Sequence, residues 1–146
     1  MRLLGIDYGE KRMGLAVGDE LGFMARGLDT ILRKTKKYDM EILANLIKRH
    51  DIEKIVIGYP VRLDGSEGIQ CEKVNRFAAA LEKTFSLPVI KWPEAMSTKE
   101  AEEILMNSGF GWKKRKEKVD KLAATLILQG YLDSVSGKNK KLPEKI

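Results

Sequence analysis

The first eighteen residues constrain the fold more than any other part of the chain. Residues 2–6 form a short apolar run that ends at Asp7, and residues 13–18 form a second run after a polar turn at residues 8–12. Two such runs joined by a short turn predict a β-hairpin. We therefore expect the chain to begin with an antiparallel pair of strands.

Helices and strands are expected to alternate after this hairpin. Residues 22–32 are a plausible third strand, although two glycines interrupt it. Apolar residues at helical spacing predict helices at 38–50, around 74–81 and from about 119 to 135, and a capping box at 97–100 opens a further helix before the last one. Short apolar runs predict strands at 55–58 and 87–92, between these helices. This order predicts an α/β fold with a mixed five-stranded sheet, an antiparallel hairpin start, parallel crossovers and helices on both faces.

The positive charge of the chain is concentrated in two segments. The 146 residues include 27 Lys+Arg and 21 Asp+Glu, a formal net charge of +6. Residues 113–118 carry a net +4, residues 136–146 a net +3, and the rest of the chain a net −1. We therefore expect one domain over residues 1–137, which is near-neutral apart from a Gly-rich and then basic loop at 107–118, and a flexible basic tail at 138–146. A uniformly basic, histone-like chain is excluded.

Rare residue types and hydropathy narrow the class of protein further. Cys71, the only cysteine, excludes an intramolecular disulfide framework, fits a reducing compartment, and is expected to be a buried small hydrophobe. His50, the only histidine, argues against histidine-based triads and zinc sites. No apolar run approaches the ~18 residues needed to span a membrane, and no signal-peptide pattern is present. A cytoplasmic protein is expected.

Three carboxylates occupy positions that suit a metal site. Asp7 follows the first strand, Glu94 follows the strand that ends near Trp92, and Asp120 lies in the predicted first turn of the last helix. In sheets with crossovers, ligands bind outside the carboxyl ends of the strands. Hard cations such as Mg²⁺ prefer oxygen ligands, and two such ions can orient a water and stabilise the leaving oxygen of a phosphodiester. The pattern favours a divalent-cation site.

Each carboxylate also has a simpler interpretation. Asp7 would serve as a turn former, Glu94 as a solvated loop residue, and Asp120 as a charge that complements the helix dipole. However, Ala123 and Ala124 share a helical face with Asp120. Small residues there would let the helix approach the sheet and carry Asp120 to the strand ends.

Basic side chains near these carboxylates are candidates for contact with nucleic acid. Clustered Lys and Arg suit phosphates, and an aromatic ring can stack on an unpaired base. The simpler interpretation is an exposed turn and a solvated charged loop. The candidate nucleic-acid-binding residues are Lys11 and Arg12 in the hairpin turn, and Trp112, Lys113, Lys114, Arg115, Lys116 and Lys118 in the basic segment. Trp92 is assigned to core packing.

Four segments of the chain resemble the YqgF family, whose members are described as Holliday junction resolvases and as nucleases that mature pre-16S ribosomal RNA. The matching residues are Gly5-Ile6-Asp7-Tyr8-Gly9-x-Lys11-Arg12-x-Gly14-x-Ala16; Ile55-Val56-Ile57-Gly58-x-Pro60 with Asp64-Gly65-Ser66; Glu94 with Ser97-Thr98 and Ala101; and Asp120-x-x-Ala123-Ala124-x-x-Ile127-Leu128-Gln129-x-Tyr131-Leu132. The resemblance implies an RNase H-like fold, a Mg²⁺ or Mn²⁺ site built from Asp7, Glu94 and Asp120, and endonuclease activity on structured nucleic acid. Its expected roles are maturation of the 5′ end of pre-16S rRNA and Holliday junction resolution.

One motif departs from the family pattern. The third motif usually reads Asp-Glu-Arg, whereas this chain has Pro93-Glu94-Ala95, so a flanking acid and an arginine are missing. A non-catalytic nucleic-acid-binding or ribosome-assembly module of the same fold is therefore the alternative function. A nucleotide-binding role is disfavoured, because the actin-like and sugar-kinase ATPases that share this core need two lobes. RNA or branched DNA as substrate, contact with a ribosomal particle, and a monomeric or homodimeric state stay open.

Overall fold

The computed structural model describes residues 1–19, 21, 24–61, 65–93 and 112–136, with the backbone alone for residues 112–117. The elements in these segments are β1 (Arg2–Tyr8), β2 (Arg12–Asp19), β3 (Ala25–Leu32), α1 (Lys36–Arg49), β4 (Ile52–Tyr59), α2 (Ile69–Phe85), β5 (Val89–Pro93) and α3 (Trp112–Ser136). Within these described segments, no helix combines the length and apolarity that crossing a membrane requires.

The strands form one mixed sheet in the order β3-β2-β1-β4-β5. β1 pairs antiparallel with β2, and β2 pairs antiparallel with β3. β4 lies parallel to both β1 and β5. These pairings confirm the predicted mixed five-stranded sheet with its hairpin start and parallel crossovers.

Helices cover both faces of the sheet, as predicted. On the first face, which we call the α1/α2 face, α1 and α2 cover the apolar side chains that alternate along the strands. That core includes Leu4, Ile6, Met13, Leu15, Val17, Ile31, Leu43, Ile55, Ile57, Val74, Phe77 and Leu81. On the second, the α3 face, the core comprises Leu3, Ala16, Val56, Ala124, Ile127, Leu128, Tyr131 and Leu132. Successive residues of a strand point to opposite faces, so β1 contributes to both cores.

Glycines on the strands let α3 lie directly on the backbone of the sheet. A Cβ added to Gly14 would lie 1.9 Å from the carbonyl oxygen of Asp120, and one added to Gly5 would lie 2.8 Å from the Cβ of Leu128. A glycine inside a strand often marks such a close approach of another backbone. Ala123 and Ala124 are fully buried, as the expected close approach of this helix requires.

The last helix begins earlier than the sequence suggested. Residues 112–118 are helical and form the start of α3, so the prediction of a basic loop over this stretch was wrong. The physical reason is that Lys, Arg and Glu are good helix formers, and the segment contains neither Gly nor Pro. The predicted loop at 107–111, the capping box at 97–100 and the basic tail at 138–146 lie outside the described residues.

Candidate active site at the carboxyl end of β1

Asp7 lies near the carboxyl end of β1 and on the α3 face. It belongs to the strand rather than to the turn, because its Cα pairs with that of Gly14 on β2. The next residue, Tyr8, packs against Phe77 on the α1/α2 face, with ring centroids 4.5 Å apart. The end of β1 therefore presents a carboxylate on one face and an aromatic ring on the other.

Asp120 is brought to Asp7 by the contact of α3 with Gly14. The Asp120 carbonyl lies directly over Gly14, the partner of Asp7 in the neighbouring strand. Since α3 begins at Trp112, Asp120 lies beyond its first turn, where the helix dipole no longer stabilises a carboxylate. The close contact that places Asp120 beside Asp7 is instead made by the helix backbone.

The two carboxylates are near enough to affect each other electrostatically. Burial, and secondarily the negative charge of Asp120, raises the pKa of Asp7 from 3.8 to about 6. Burial disfavours the charged form of a carboxyl group, and a second carboxylate nearby adds repulsion. A cation bound between them would remove this penalty.

Arg12 supplies one such cation from the protein itself. Its Nε donates a hydrogen bond of 2.7 Å to Oδ2 of Asp120, and both side chains are partly buried. A guanidinium that pairs with one carboxylate still leaves Asp7 without an ion-pair partner among the described residues. Arg12 therefore adjoins the carboxylate pair, where a phosphate group could also reach it.

The structure describes only some of the other residues that the sequence suggests for the site. Lys11 is exposed in the turn between β1 and β2, and Lys118 is exposed on α3. For Trp112, Lys113, Lys114, Arg115 and Lys116, only their position in the first turns of α3 is described, and Glu94 lies outside the described residues. In the described part of the chain, no group of three or more His, Cys, Asp or Glu side chains is arranged to hold a metal ion.

A buried ion pair near this site was not predicted from the sequence. Asp39, at the start of α1, is 1% exposed and accepts a hydrogen bond of 3.1 Å from Nε of Arg33. The Arg33 guanidinium lies over the Tyr8 ring, 4.6 Å from its centroid, and donates to the Gly9 carbonyl. An acidic residue among the apolar residues of a helix is the only local signal, and it does not identify its partner.

Comparison with known proteins identifies the family. A family model described as "RuvX: Holliday junction resolvase" matches residues 1–134, nearly the whole described chain. The chain belongs to this RuvX family. The family is the YqgF family of the sequence resemblance, which is thereby confirmed together with the predicted nuclease class.

Curated relatives of this RuvX-family chain align over almost its full length. A protein of Syntrophus aciditrophicus is 58% identical over 143 residues, which cover 98% of this chain and 94% of the relative. A protein of Bacillus subtilis is 42% identical over 138 residues, covering 93% of this chain and 100% of the relative. Both are named "Putative pre-16S rRNA nuclease".

Two solved structures with a similar fold are those of Holliday junction resolvases. Thermus thermophilus RuvC in complex with a Holliday junction is 21% identical, with a TM-score of 0.52 and coverage of 94% of this chain and 96% of that chain. The fowlpox virus resolvase, also in complex with junction DNA, is 13% identical, with a TM-score of 0.55 and coverage of 92% and 99%. These matches confirm the predicted RNase H-like fold.

Proposed function

We propose that this RuvX-family chain is a divalent-metal-dependent endonuclease that hydrolyses phosphodiester bonds in structured nucleic acid. Its expected substrate is the 5′ end of pre-16S rRNA, in keeping with the names of its relatives, and the four-way DNA junction is the second candidate. The observation that carries the proposal is the placement of Asp7 beside Asp120 at the carboxyl end of β1.

The donor set fits Mg²⁺ or Mn²⁺. Asp7 and Asp120 offer carboxylate oxygens, the ligands that these hard cations prefer, and the raised pKa of Asp7 reflects a site that disfavours uncompensated negative charge. Asp7 and Asp120 would hold the metal, with Glu94 as the third ligand expected from the family motif. When bound, the metal would activate a water and stabilise the charge that develops on the phosphate.

The protein's own residues would position the substrate around this centre. Asp7 is fixed by the strand pairing of β1, and Asp120 by the backbone contact of α3 with Gly14. Arg12 would exchange its contact with Asp120 for a substrate phosphate, since a guanidinium pairs with phosphate as well as with carboxylate. Lys11 and the basic first turns of α3 would hold the backbone on either side.

Cleavage of two matched substrates tests this function. A pre-16S rRNA fragment that carries the 5′ precursor sequence and a four-way DNA junction would be incubated with the purified chain and Mg²⁺, Mn²⁺ or EDTA. We expect cleavage of at least one substrate with a divalent cation, none in EDTA, and loss of cleavage in Asp7→Asn and Asp120→Asn. The exposed Asp29→Asn serves as a control for the loss of one carboxylate.

A binding role without cleavage is the second candidate. It is favoured by Pro93 and Ala95, which stand where the family motif usually has an acid and an arginine. The chain would then act as a nucleic-acid-binding factor in ribosome assembly, in the cytoplasm. Salt-dependent binding of the rRNA fragment, with no cleavage under any divalent cation, would support this role and contradict the nuclease proposal.

A further inference from the structure

A cleft on the α1/α2 face lies behind the carboxylate pair. Its volume is about 460 Å³, and the rings of Tyr8 and Phe77 form part of its wall. Tyr8 directly follows Asp7 in β1, but the two side chains point to opposite faces of the sheet. The cleft and the candidate metal site therefore share the carboxyl end of one strand.

The charged residues of the cleft leave an excess of two positive charges. Four cations and two anions line it: Arg33, Lys36, Lys73 and Arg76, with Glu10 and Asp39. Arg33 is paired with Asp39, and Lys73 is paired with Glu10. The hydrogen bond and charge of Lys73 lower the pKa of Glu10, so this carboxylate stays ionised. The excess positive charge therefore belongs to Lys36 and Arg76.

Lys36 and Arg76 are available to a ligand. Both side chains are exposed, and neither has an ion-pair or hydrogen-bond partner within the described segments. Lys36 begins α1 and Arg76 lies in the first half of α2, and both helices start at the carboxyl edge of the sheet. The two cations thus converge on the same edge as Asp7.

Arg33 gives the cleft a fixed framework. It bonds Asp39 and the Gly9 carbonyl, and its guanidinium is stacked on Tyr8. These contacts join the end of β3, the β1–β2 turn and the start of α1. The positions from which Lys36 and the turn residues reach outward are therefore set before any ligand binds.

We propose that this cleft binds the phosphodiester backbone of the nucleic-acid strand that flanks the scissile bond, with Lys36 and Arg76 as the phosphate-contacting residues. The inference rests on the proposed function, because it assigns a second contact region to the same substrate. A polymer suits the site better than a free anion, since the excess cations are exposed at an open edge rather than enclosed. A nucleic-acid strand that extends from the carboxylate pair would pass the β1–β2 turn to reach the cleft.

Binding of RNA by the full-length chain in EDTA tests the cleft without cleavage. Fluorescence anisotropy would be measured on the labelled pre-16S rRNA fragment between 50 and 300 mM salt for wild type and Lys36→Ala/Arg76→Ala. Each phosphate contact to a single-stranded nucleic acid adds about 0.7 to the magnitude of the slope of log affinity against log salt concentration. One such contact therefore raises the binding affinity roughly fivefold at 0.1 M salt relative to 1 M salt. We therefore expect about 25-fold weaker binding at 0.1 M and a slope reduced by about 1.4.

Two further variants separate this effect from a general loss of charge. Lys48→Ala/Lys83→Ala removes two exposed positive charges from the last turns of the same helices, at the opposite edge of the sheet. The charge-conserving Lys36→Arg/Arg76→Lys keeps both cations in the cleft. We expect both to bind like wild type. If the alanine pair at Lys36 and Arg76 weakens binding no more than the control pair, the cleft proposal is wrong.

Other outcomes bear on the two proposals separately. If wild type cleaves with Mn²⁺ but RNA binding is unaffected by Lys36→Ala/Arg76→Ala, the nuclease function stands and the cleft proposal fails. If inorganic phosphate or AMP binds wild type and loses affinity in that variant while RNA binding does not, the cleft is a site for free anions, which also overturns it. If wild type binds neither the rRNA fragment nor the four-way DNA junction, both proposals fail.

Discussion

Replacing Asp7 with Asn should make the metal-free protein more stable at neutral pH. The folded structure holds this carboxyl group beside Asp120, and burial followed by that neighbour's charge raises its pKa from 3.8 to about 6. Above both values, the folded protein carries a desolvated charge that the unfolded chain exposes to water. An amide of nearly the same shape removes this charge.

The magnitude and its pH window follow from proton linkage. Below pH 3.8, Asp7 is protonated in both states and contributes nothing. Between pH 3.8 and 6 the folded state binds more protons, so the stability of wild type falls as the pH rises, and the full cost applies above pH 6. At 1.36 kcal/mol per pKa unit the cost is about 3 kcal/mol, and access of water to the half-buried group reduces it to roughly 1.5–3 kcal/mol.

Urea unfolding in EDTA at pH 4 and pH 8 measures this effect. We expect the free energy of unfolding of Asp7→Asn to exceed that of wild type by roughly 1.5–3 kcal/mol at pH 8 and by under about 1 kcal/mol at pH 4. With an m-value of about 1–3 kcal/mol/M, the urea midpoint at pH 8 should rise by roughly 1 M. Asp29→Asn, at an exposed position on β3, controls for net charge. The reasoning is refuted if Asp7→Asn gains no stability at pH 8, or gains the same amount at both pH values.

Three other substitutions test how the site is built. Gly14→Ala should cost at least about 3 kcal/mol in urea unfolding, because its Cβ would lie 1.9 Å from the Asp120 carbonyl oxygen; a near-neutral effect would contradict the close contact of α3. Arg12→Gln should bind Mn²⁺ several-fold more tightly and RNA more weakly, since the guanidinium no longer competes at Asp120; unchanged Mn²⁺ affinity would argue against that competition. Asp39→Ala should lower the free energy of unfolding by about 3 kcal/mol, because the substitution leaves Arg33 without its buried partner. A decrease below about 1 kcal/mol would show that the ion pair contributes little to stability.

The strands were predictable because their signals are local. Apolar runs with alternating sides, such as residues 13–18, indicate strands regardless of what packs on them. The polar turn after Tyr8 indicates a hairpin in the same way. The order of the elements then limits the sheet to a mixed topology, as the structure shows.

The start of α3 was missed because its first turns carry no apolar periodicity. Residues 113–118 are all charged, and a run of charged residues resembles a solvated loop when hydrophobic spacing is the criterion. Helix propensity is the competing signal, since Lys, Arg and Glu all favour helix. The apolar positions from Val119 onward mark where α3 becomes buried rather than where it begins.

The contacts that assemble the site are long-range and could not be predicted from local patterns. Arg12 and Asp120 are separated by 108 residues, and their ion pair follows from the packing of α3 on β2. Gly14 indicates that something approaches the strand closely, but not which element does so. The same holds for Asp39, whose burial depends on Arg33 from the end of β3.

Direct measurement of Mn²⁺ binding tests the central claim, that Asp7 and Asp120 hold the catalytic metal. Electron paramagnetic resonance would follow the signal of free Mn²⁺ as wild type, Asp7→Asn, Asp120→Asn and the control Asp29→Asn are titrated at pH 8. We expect wild type and the control to bind Mn²⁺ with the same affinity, and both site variants to bind it at least about tenfold more weakly. Undiminished binding by Asp7→Asn and Asp120→Asn would contradict the assignment.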